Sequence, residues 1–593
     1  MNINKLQDLK FDNRGQLCKN TFGKNFNNDD IYKNIAIKNE EKIEVNDILE
    51  PESDIGNIEY KSQLLNLCTI RKEKLATQLS YRLREGNGEC VYQIGINDDG
   101  SFHGLDDNDL NTSIANLSAI CEKINACINY ISIKRLSEKG VLIDEKKVAE
   151  IFIRSNYPKG QYIDIYISVV GNVDAGKSTL VGVLSKNILD NGRGKSRSAI
   201  TNYKHEMESG RTSTSTHHII GFDNNGNLVN EYNNNECRKT WSDIVMESNK
   251  IITLNDLCGH EKYLRTTIFG VSSVLPDYCM VVIAANNGIT HMTKEHMALA
   301  FSLKIPMFFV ITKVDICPDN IYAKTKEQIT CFLKLPGLRK LPYFVKSEED
   351  IPVVIKNICY DNCVPIFSIS NVNGHNINYL KHFLNLLTSR KNIINQNKYI
   401  EFVIDGWYII TGVGIVVSGM LNSGKLKIGD NVLLGPMKIT NEYIKTYVRS
   451  IQIKRISAGE VSAGTYCTLA LKKININFLR KGMVLISNDN PIRSVKKFTA
   501  NINVLQSHHT TIRKNYQPFL HIGCVRQSAR ILDIQNVKSR NEIDDDDPSL
   551  RTGDRALLTM EFIYRGEYIK TGNKLIFREG KIRGVGIIQE ILE

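Results

Sequence analysis

Over residues 162–389 the apolar positions fall into short β-rich runs that alternate with helical periods. YIDIYISVV precedes a helical pattern over 177–189, CMVVIAA one over 293–303, MFFVIT one over 321–333 and PIFSIS one over 377–387. Such alternation predicts a parallel sheet, because two parallel strands need a long return connection and a helix packed on the sheet supplies it. After about residue 397 the helical period stops, and short alternating strands with Gly-containing turns follow, among them GVGIVVSGML, SGKLKIGDNVLL and KTYVRSIQI. These predict antiparallel barrels. The second begins near Phe498 and carries a solvated loop at the acidic run 544–547 ahead of Pro548.

Upstream, over 58–155, the spacing of Leu64, Leu65, Leu67 and Leu75, the strand CVYQIGI, a helical stretch over 114–128 and the strand NYISIKRL predict a small α/β domain. Residues 1–55 are rich in Asn, Lys, Asp and Glu without a sustained apolar period. Burial there is too small to offset the entropy of ordering, and a mostly disordered leader is expected. The expected boundaries are 1–55 for the leader, 56–158 for the small α/β domain, 159–396 for the central α/β domain, and 397–495 and 496–593 for the barrels.

Composition, with 42% hydrophobic and 24% charged residues, is that of an ordinary folded chain. The formal charge of +12, from 76 Lys+Arg less 64 Asp+Glu, permits a polyanionic partner without demanding one. The 14 cysteines are scattered with no CxxC pair, which fits reduced thiols of the cytosol better than disulfides or a metal site. No stretch reaches the roughly 18 consecutive apolar residues of a membrane-spanning helix. The start MNINKLQDLKFDNRGQ lacks the apolar core of a signal peptide. A soluble, cytoplasmic, monomeric protein with no membrane partner is expected.

The strongest motif is GNVDAGKS, 171–178, a GxxxxGK[ST] pattern between a strand and the helical run KSTLVGVL. In that context the backbone N–H groups of Gly171, Asn172, Val173, Asp174, Ala175 and Gly176, with the helix N-terminus through Ser178 and Thr179, form a phosphate cradle. Lys177 reaches the β- and γ-phosphates, and the Ser178 hydroxyl is a Mg²⁺ ligand. The base is chosen elsewhere. In MFFVITKVD, Asp315 is placed to accept two hydrogen bonds that guanine offers and adenine does not, while Lys313 covers the base face. Thr312 stands where Asn is commoner in this pattern, and Ser370 and Asn371 of PIFSISNVNG would support the O6 side of the base.

IITLNDLCGHEKYL ends a strand at Asp256 and places Gly259 three residues on, the DxxG spacing of a γ-phosphate sensor. Asp256 would hold Mg²⁺ through water, the Gly259 N–H would meet the γ-phosphate, and the loop should change conformation on hydrolysis. His260 follows, where its imidazole can orient the attacking water. A first switch should lie between these motifs and supply a threonine hydroxyl to Mg²⁺. In ESGRTSTSTHH, Thr212 is the leading candidate, with Thr214 and Thr216 as alternatives. The catalytic candidates are therefore His260, Thr212 and Lys177, and the metal candidates Ser178, Thr212 and Asp256.

With GNVDAGKS, DLCGHEKY and TKVD in this order ahead of two barrels, the chain resembles the elongation factor Tu family of translational GTPases. HEMESGRTS, MTKEHMALA, TKVDICP, LRTGDRA and FREGKIRGVG resemble its GTP-binding protein 1 and 2 subfamily most closely, and GNGECVYQIG and DGSFHGL extend the likeness into the small α/β domain. The resemblance implies a multidomain fold: a small α/β amino-terminal domain, an α/β P-loop GTPase domain and two antiparallel β-barrels. It implies GTP/GDP and Mg²⁺ as cofactors and hydrolysis of GTP to GDP and phosphate, with the residues named above in those roles. One position departs. Where elongation factor Tu has an apolar gate residue before the switch threonine, this chain has Arg211, so hydrolysis is expected to be gated differently.

The resemblance further implies a switch acting on tRNA or the ribosome, for which Lys445, Arg449, Lys454, Arg455, Arg513, Lys514 and Arg526 are candidate phosphate contacts. An alternative of another class is a GTP-regulated adaptor that recruits mRNA-decay or ribosome-rescue proteins without delivering aminoacyl-tRNA. A catalytically dead scaffold is disfavoured, since every required position is filled.

Overall fold

Seven short strands rich in Ile, Val and Phe make the central sheet, and the carboxyl ends of four of them lead into GNVDAGKS, DLCG, TKVD and SNVNG. The computed structural model describes residues 36–44, 49–138, 141–201, 203–230, 239–335, 338–359, 363–390, 399–472, 474–490, 494–504, 511–538, 549–551, 553–579 and 581–592. It divides into two units, one ending at Ser155 and one running from Asn156 onward with Gly86–Gly88.

The first unit holds five strands, β1 (Ala36–Glu44), β2 (Ile58–Lys61), β3 (Glu89–Ile94), β4 (Ala126–Glu138) and β5 (Val141–Ser155), in the order β1-β4-β5-β3-β2. Helices Thr69–Glu85 and Asp107–Lys123 bury Leu75, Leu79 and Leu83, and Leu110, Ile114, Leu117 and Cys121, at helical spacing against the alternate strand residues Cys90, Tyr92, Ile94, Ile151 and Ile153. The second helix stops at Lys123, short of residue 128, because Asn125 takes a left-handed φ of 57° and Ile128 already belongs to β4. The expectation of a disordered leader over 1–55 is corrected at β1, which pairs parallel with β4 from Ala36 to Glu44. The pairing runs along the edge of the sheet beside β4, and residues 1–35 and 45–48 lie outside the described set. The acidic run 544–547 also lies outside it.

In the second unit the central sheet comprises β6 (Ile163–Gly171), β7 (Thr216–Phe222), β8 (Lys250–Asp256), β9 (Tyr278–Ala284), β10 (Met307–Thr312), β11 (Leu341–Phe344) and β12 (Cys363–Ser368). The order is β11-β12-β10-β9-β6-β8-β7, with all neighbours parallel except the β7–β8 pair. The inner strands are buried on both faces and read as near-continuous apolar runs, as parallel sheets require. Register aligns Val169 with Asp256, Gly171 with Val282, and Thr312 with Ala284, so the ends of β6, β8, β9 and β10 share one edge. Open α/β sheets bind ligands at that edge.

Six strands then close a ring in the order Asn431–Gly435, Val484–Ile486, Glu401–Ile410, Gly414–Ser423, Thr465–Lys472 and Ile444–Ile453, around Phe402, Ile404, Val417 and Leu469. A second closed barrel runs Lys497–Val504, Arg555–Phe562, Val525–Lys538, Phe519–Ile522, Lys574–Glu579 and Lys581–Ile591, filled by Phe498, Ile502, Leu558 and Phe577. Among the described residues no helix is long and apolar enough to cross a membrane.

Candidate functional site

Gly171 ends β6 at φ 147°, with its Cα against the Val282 carbonyl, where a side chain would collide. Asp174 and Gly176, at φ 58° and 83°, then turn the chain into the helix Lys177–Lys186 and leave its N-terminus facing an open cavity. The Lys177 side chain is buried, and its Nζ donates to the Asn172 carbonyl at 2.8 Å. Burial lowers the pKa of this ammonium, and the nearby Asp256 partly opposes that.

Ser178 Oγ donates to Asp256 Oδ2 at 2.6 Å and lies 2.8 Å from Thr212 Oγ1. The three residues expected to hold a metal, drawn from a helix start, a strand end and a loop, thus meet at one point. Asp256 is 1% exposed, and burial pushes its carboxyl up to about 6, against the pull of Lys177. Its Oδ1 has no hydrogen-bond partner among the described residues. A buried, unpartnered carboxylate oxygen beside two hydroxyls is a donor set that fits a hard divalent cation such as Mg²⁺. Of the three threonines considered, Thr212 is the one beside Ser178. Thr214 donates to Glu206, and Thr216 opens β7 beside His218.

On the base side, Thr312 is fully buried and its Oγ1 donates to the Ala175 carbonyl at 2.7 Å. The phosphate loop is tied to the TKVD loop by that hydroxyl, a job threonine performs in place of asparagine. Lys313, at φ 61°, and the exposed Asp315 line the cavity with Asn371 and Val372. Ser370 does not line it: its Oγ accepts the Val372 N–H at 3.2 Å and shapes the loop that presents Asn371.

Gly259 follows the buried Leu257 and Cys258 and comes so close to Lys177 Nζ and the Asn172 backbone that no Cβ could be accommodated. His260 is half-buried and lines the cavity. Its Nδ1 accepts the Lys262 N–H at 3.1 Å, which assigns the ring proton to Nε2. The cavity has a volume of about 540 Å³ and is framed by Asp174, Lys177, Ser178, Thr212, His260 and Asp315. Gly171, Asn172, Ala175, Asp256 and Thr312 are not among its lining residues and support those that are.

One wall was not anticipated from sequence. The Asp190 carboxylate accepts N–H groups from Gly192, Gly194 and Ser196 at 3.1, 3.3 and 3.0 Å, and the turn so built lines the cavity with Arg193 and Arg197. The signal was an Asp followed by two turn glycines, DNGRG, a loop-building pattern with no ligand chemistry of its own.

A model of the elongation factor Tu GTP binding domain matches residues 164–400, one of elongation factor Tu domain 2 matches 414–486, and one of the elongation factor Tu C-terminal domain matches 491–592. The chain is 41% identical to GTP-binding protein 1 of Xenopus laevis over 542 residues, 91% of this chain and 80% of that protein. It is 39% identical to GTP-binding protein 2 of Mus musculus over 553 residues, 92% of this chain and 88% of that protein. Among solved structures, translation elongation factor SelB of Methanococcus maripaludis in complex with the GTP analogue GPPNHP is similar in fold, with a TM-score of 0.52 at 21% identity over 73% of this chain and 80% of that one. Proteins of this type hydrolyse GTP and use GTP/GDP and Mg²⁺. On the three matched domains in sequence and the identity carried across nine-tenths of its length, the chain belongs to the GTP-binding protein 1/2 subfamily of the elongation factor Tu-type translational GTPases.

Proposed function

We propose that this GTPase is a cytoplasmic switch whose GTP form engages tRNA or ribosome-associated RNA, with hydrolysis releasing the RNA. Supporting this reading is the meeting of Lys177, Ser178, Thr212, Asp256 and Gly259 at the phosphate end of one cavity, with Asp315 at the other. In it, the loop from Gly171 to Gly176 and Lys177 bind the phosphates, and Ser178, Thr212 and Asp256 would hold Mg²⁺, which would supply positive charge beside the phosphate oxygens. Asp315 reads guanine with Lys313 over the ring, the Gly259 N–H senses the γ-phosphate, and His260 orients the attacking water.

The helix Leu264–Val274 carries a state change at Gly259 toward the barrels. Its Phe269 lies under Lys481 of the first barrel and Arg526 of the second, each 4.7 Å from the ring centroid. Arg265 on the same helix sits over Phe519, and Arg526 and Arg578 each feel its charge. Like charges gathered where three domains meet favour a polyanion that neutralises them together. One candidate phosphate contact is ruled out by position and a second is engaged by a neighbouring ring while staying exposed. Lys454 is buried in the domain interface, and Arg455 stacks on Trp241 at 4.7 Å.

The test is crosslinking to RNA and ribosomes in extract with a non-hydrolysable GTP analogue or GDP. Crosslinks that need the analogue and fall with Arg526→Glu would support the reading. Analogue-dependent capture of proteins without RNA would favour the GTP-regulated adaptor instead.

A further inference from the structure

Thr212 is fixed from both sides by contacts that involve no nucleotide. Two residues before it, the Gly210 carbonyl accepts a hydrogen bond from Arg197 Nη1 at 2.9 Å. Directly after it, Glu206 Oε1 accepts the N–H and the hydroxyl of Ser213, both at 2.7 Å, and those of Thr214, both at 3.1 Å. Glu206 is 5% exposed. A carboxylate so placed is tolerated only when its oxygens are hydrogen-bonded, and bonds to an ionised acceptor are the stronger kind. Burial pushes the Glu206 carboxyl up, but the bonds from Ser213 and Thr214 outweigh it and hold the pKa below the usual carboxylate value. Arg197 stands in the short helix Lys195–Ser198 that Asp190 anchors through Ser196. Gly210, at φ 69°, lets the loop close on the guanidinium, since a Cβ there would lie 2.7 Å from Nη1.

We propose that Glu206 and Arg197 form a latch that holds Thr212 against Ser178 and thereby sets the preference of the site for GTP over GDP. The proposal rests on Thr212 being the first-switch residue. Switch loops in such enzymes are ordered by the γ-phosphate and its metal and released on hydrolysis. A ligand that gains from the closed loop binds with an affinity reduced by the fraction of molecules that are open, whereas one that gains nothing from closure is indifferent to that fraction. A latch made of the chain's own carboxylate and guanidinium raises the closed fraction before nucleotide arrives. Glu206 and Arg197 are positioning residues in this scheme. Arg197 also lines the cavity and Glu206 does not, so Glu206 is the cleaner position to change.

The experiment is equilibrium titration of the full chain with a fluorescent non-hydrolysable GTP analogue and with fluorescent GDP, in Mg²⁺, for wild type, Glu206→Ala and Glu206→Gln, each with a thermal melt. Glu206→Ala should weaken the analogue by about tenfold or more and GDP by less than about threefold, because only the analogue draws on the closed loop. Glu206→Gln, which keeps an acceptor oxygen without the charge, should fall between. Parallel loss for both nucleotides, or no change in either, overturns the latch. If Glu206→Ala melts below the assay temperature, Glu206→Gln decides by the same split. Wild type binding neither nucleotide would instead overturn the reading of the site, and the latch with it.

Discussion

Lys454 of the first barrel places its ammonium 3.0 Å from the carboxylate of Asp164 on β6, with side-chain exposures of 4% and 13%. The same ammonium donates to Thr253 Oγ1 on β8 and lies 5.0 Å from the Tyr166 ring centroid. Lys454 and Arg455 are the two residues of the hairpin turn joining Ile444–Ile453 to Ile456–Ala458, both at positive φ, 47° and 69°. Two-residue hairpins favour that conformation, though usually with Asn or Gly. Here it delivers two cations to the GTPase domain, one into the sheet and one over Trp241.

Removing Lys454 should leave Asp164 charged and buried. Lys454→Ala is expected to lower stability by about 2–4 kcal/mol, near the range for breaking a buried pair from one side. Lys454→Met combined with Asp164→Asn should recover much of the loss, since neither group is then an uncompensated ion. Denaturant titrations of the two variants check this, and equal losses would mean that the pair's charges are not what holds the interface.

Asp315→Asn should move base preference from guanine toward xanthine. The carboxamide can donate to the C2 oxygen of xanthine, while it faces the guanine amine with a donor. Competition of GTP and XTP for the variant reads the outcome, and unchanged selectivity would remove Asp315 from base recognition.

His260→Ala should leave nucleotide affinity nearly unchanged and slow stimulated GTP hydrolysis by roughly 10²- to 10⁴-fold, the range for one positioned acid–base group. Single-turnover hydrolysis with ribosomes present is the fair assay, because an activator completes such sites. Full turnover in the variant would pass the role to Arg211 or to a residue of the partner.

Acid should destabilise the second barrel through His521. This ring is 1% exposed, and burial, with Arg578, Arg526 and Arg265 nearby, holds its pKa down to about 3. In the unfolded chain it takes up a proton near 6.5, so the unfolded state binds more protons below that pH and stability falls as pH falls. From pH 6.5 to 5 the loss from this residue should be about 2 kcal/mol. His521→Met should flatten that part of the pH profile in denaturant titrations; an unaltered profile would assign acid sensitivity to other groups.

What sequence made legible was contiguous. GNVDAGKS, DLCG and TKVD each place a backbone turn and its functional side chain within a few residues, so pattern and geometry coincide. The central sheet was legible because buried parallel strands are nearly unbroken apolar runs. β5 was not: its middle, IDEKKVAE, is polar on the pattern of an ordinary loop, and pairing with β3 and β4 makes it a strand. The Asp190 wall was missed for a similar reason, since its place at the cavity depends on how the chain returns from the helix. Ser370 and Asn371 differ by one residue, and only the turn decides which of them faces the cavity. Lys454 read as a candidate phosphate contact because burial of a charge by another domain leaves no mark in local sequence.

Gly259 and Lys177 touch without room for a methyl group between them, and the lysine Nζ is engaged by the Asn172 carbonyl. A lysine that turned to a phosphate would abandon that carbonyl, and the residue it lies against there, Gly259, comes directly before His260. A shift of the lysine would therefore be felt first at the residue directly before the histidine. A phosphate that drew the lysine away would need no separate messenger to reach the histidine proposed to orient the attacking water.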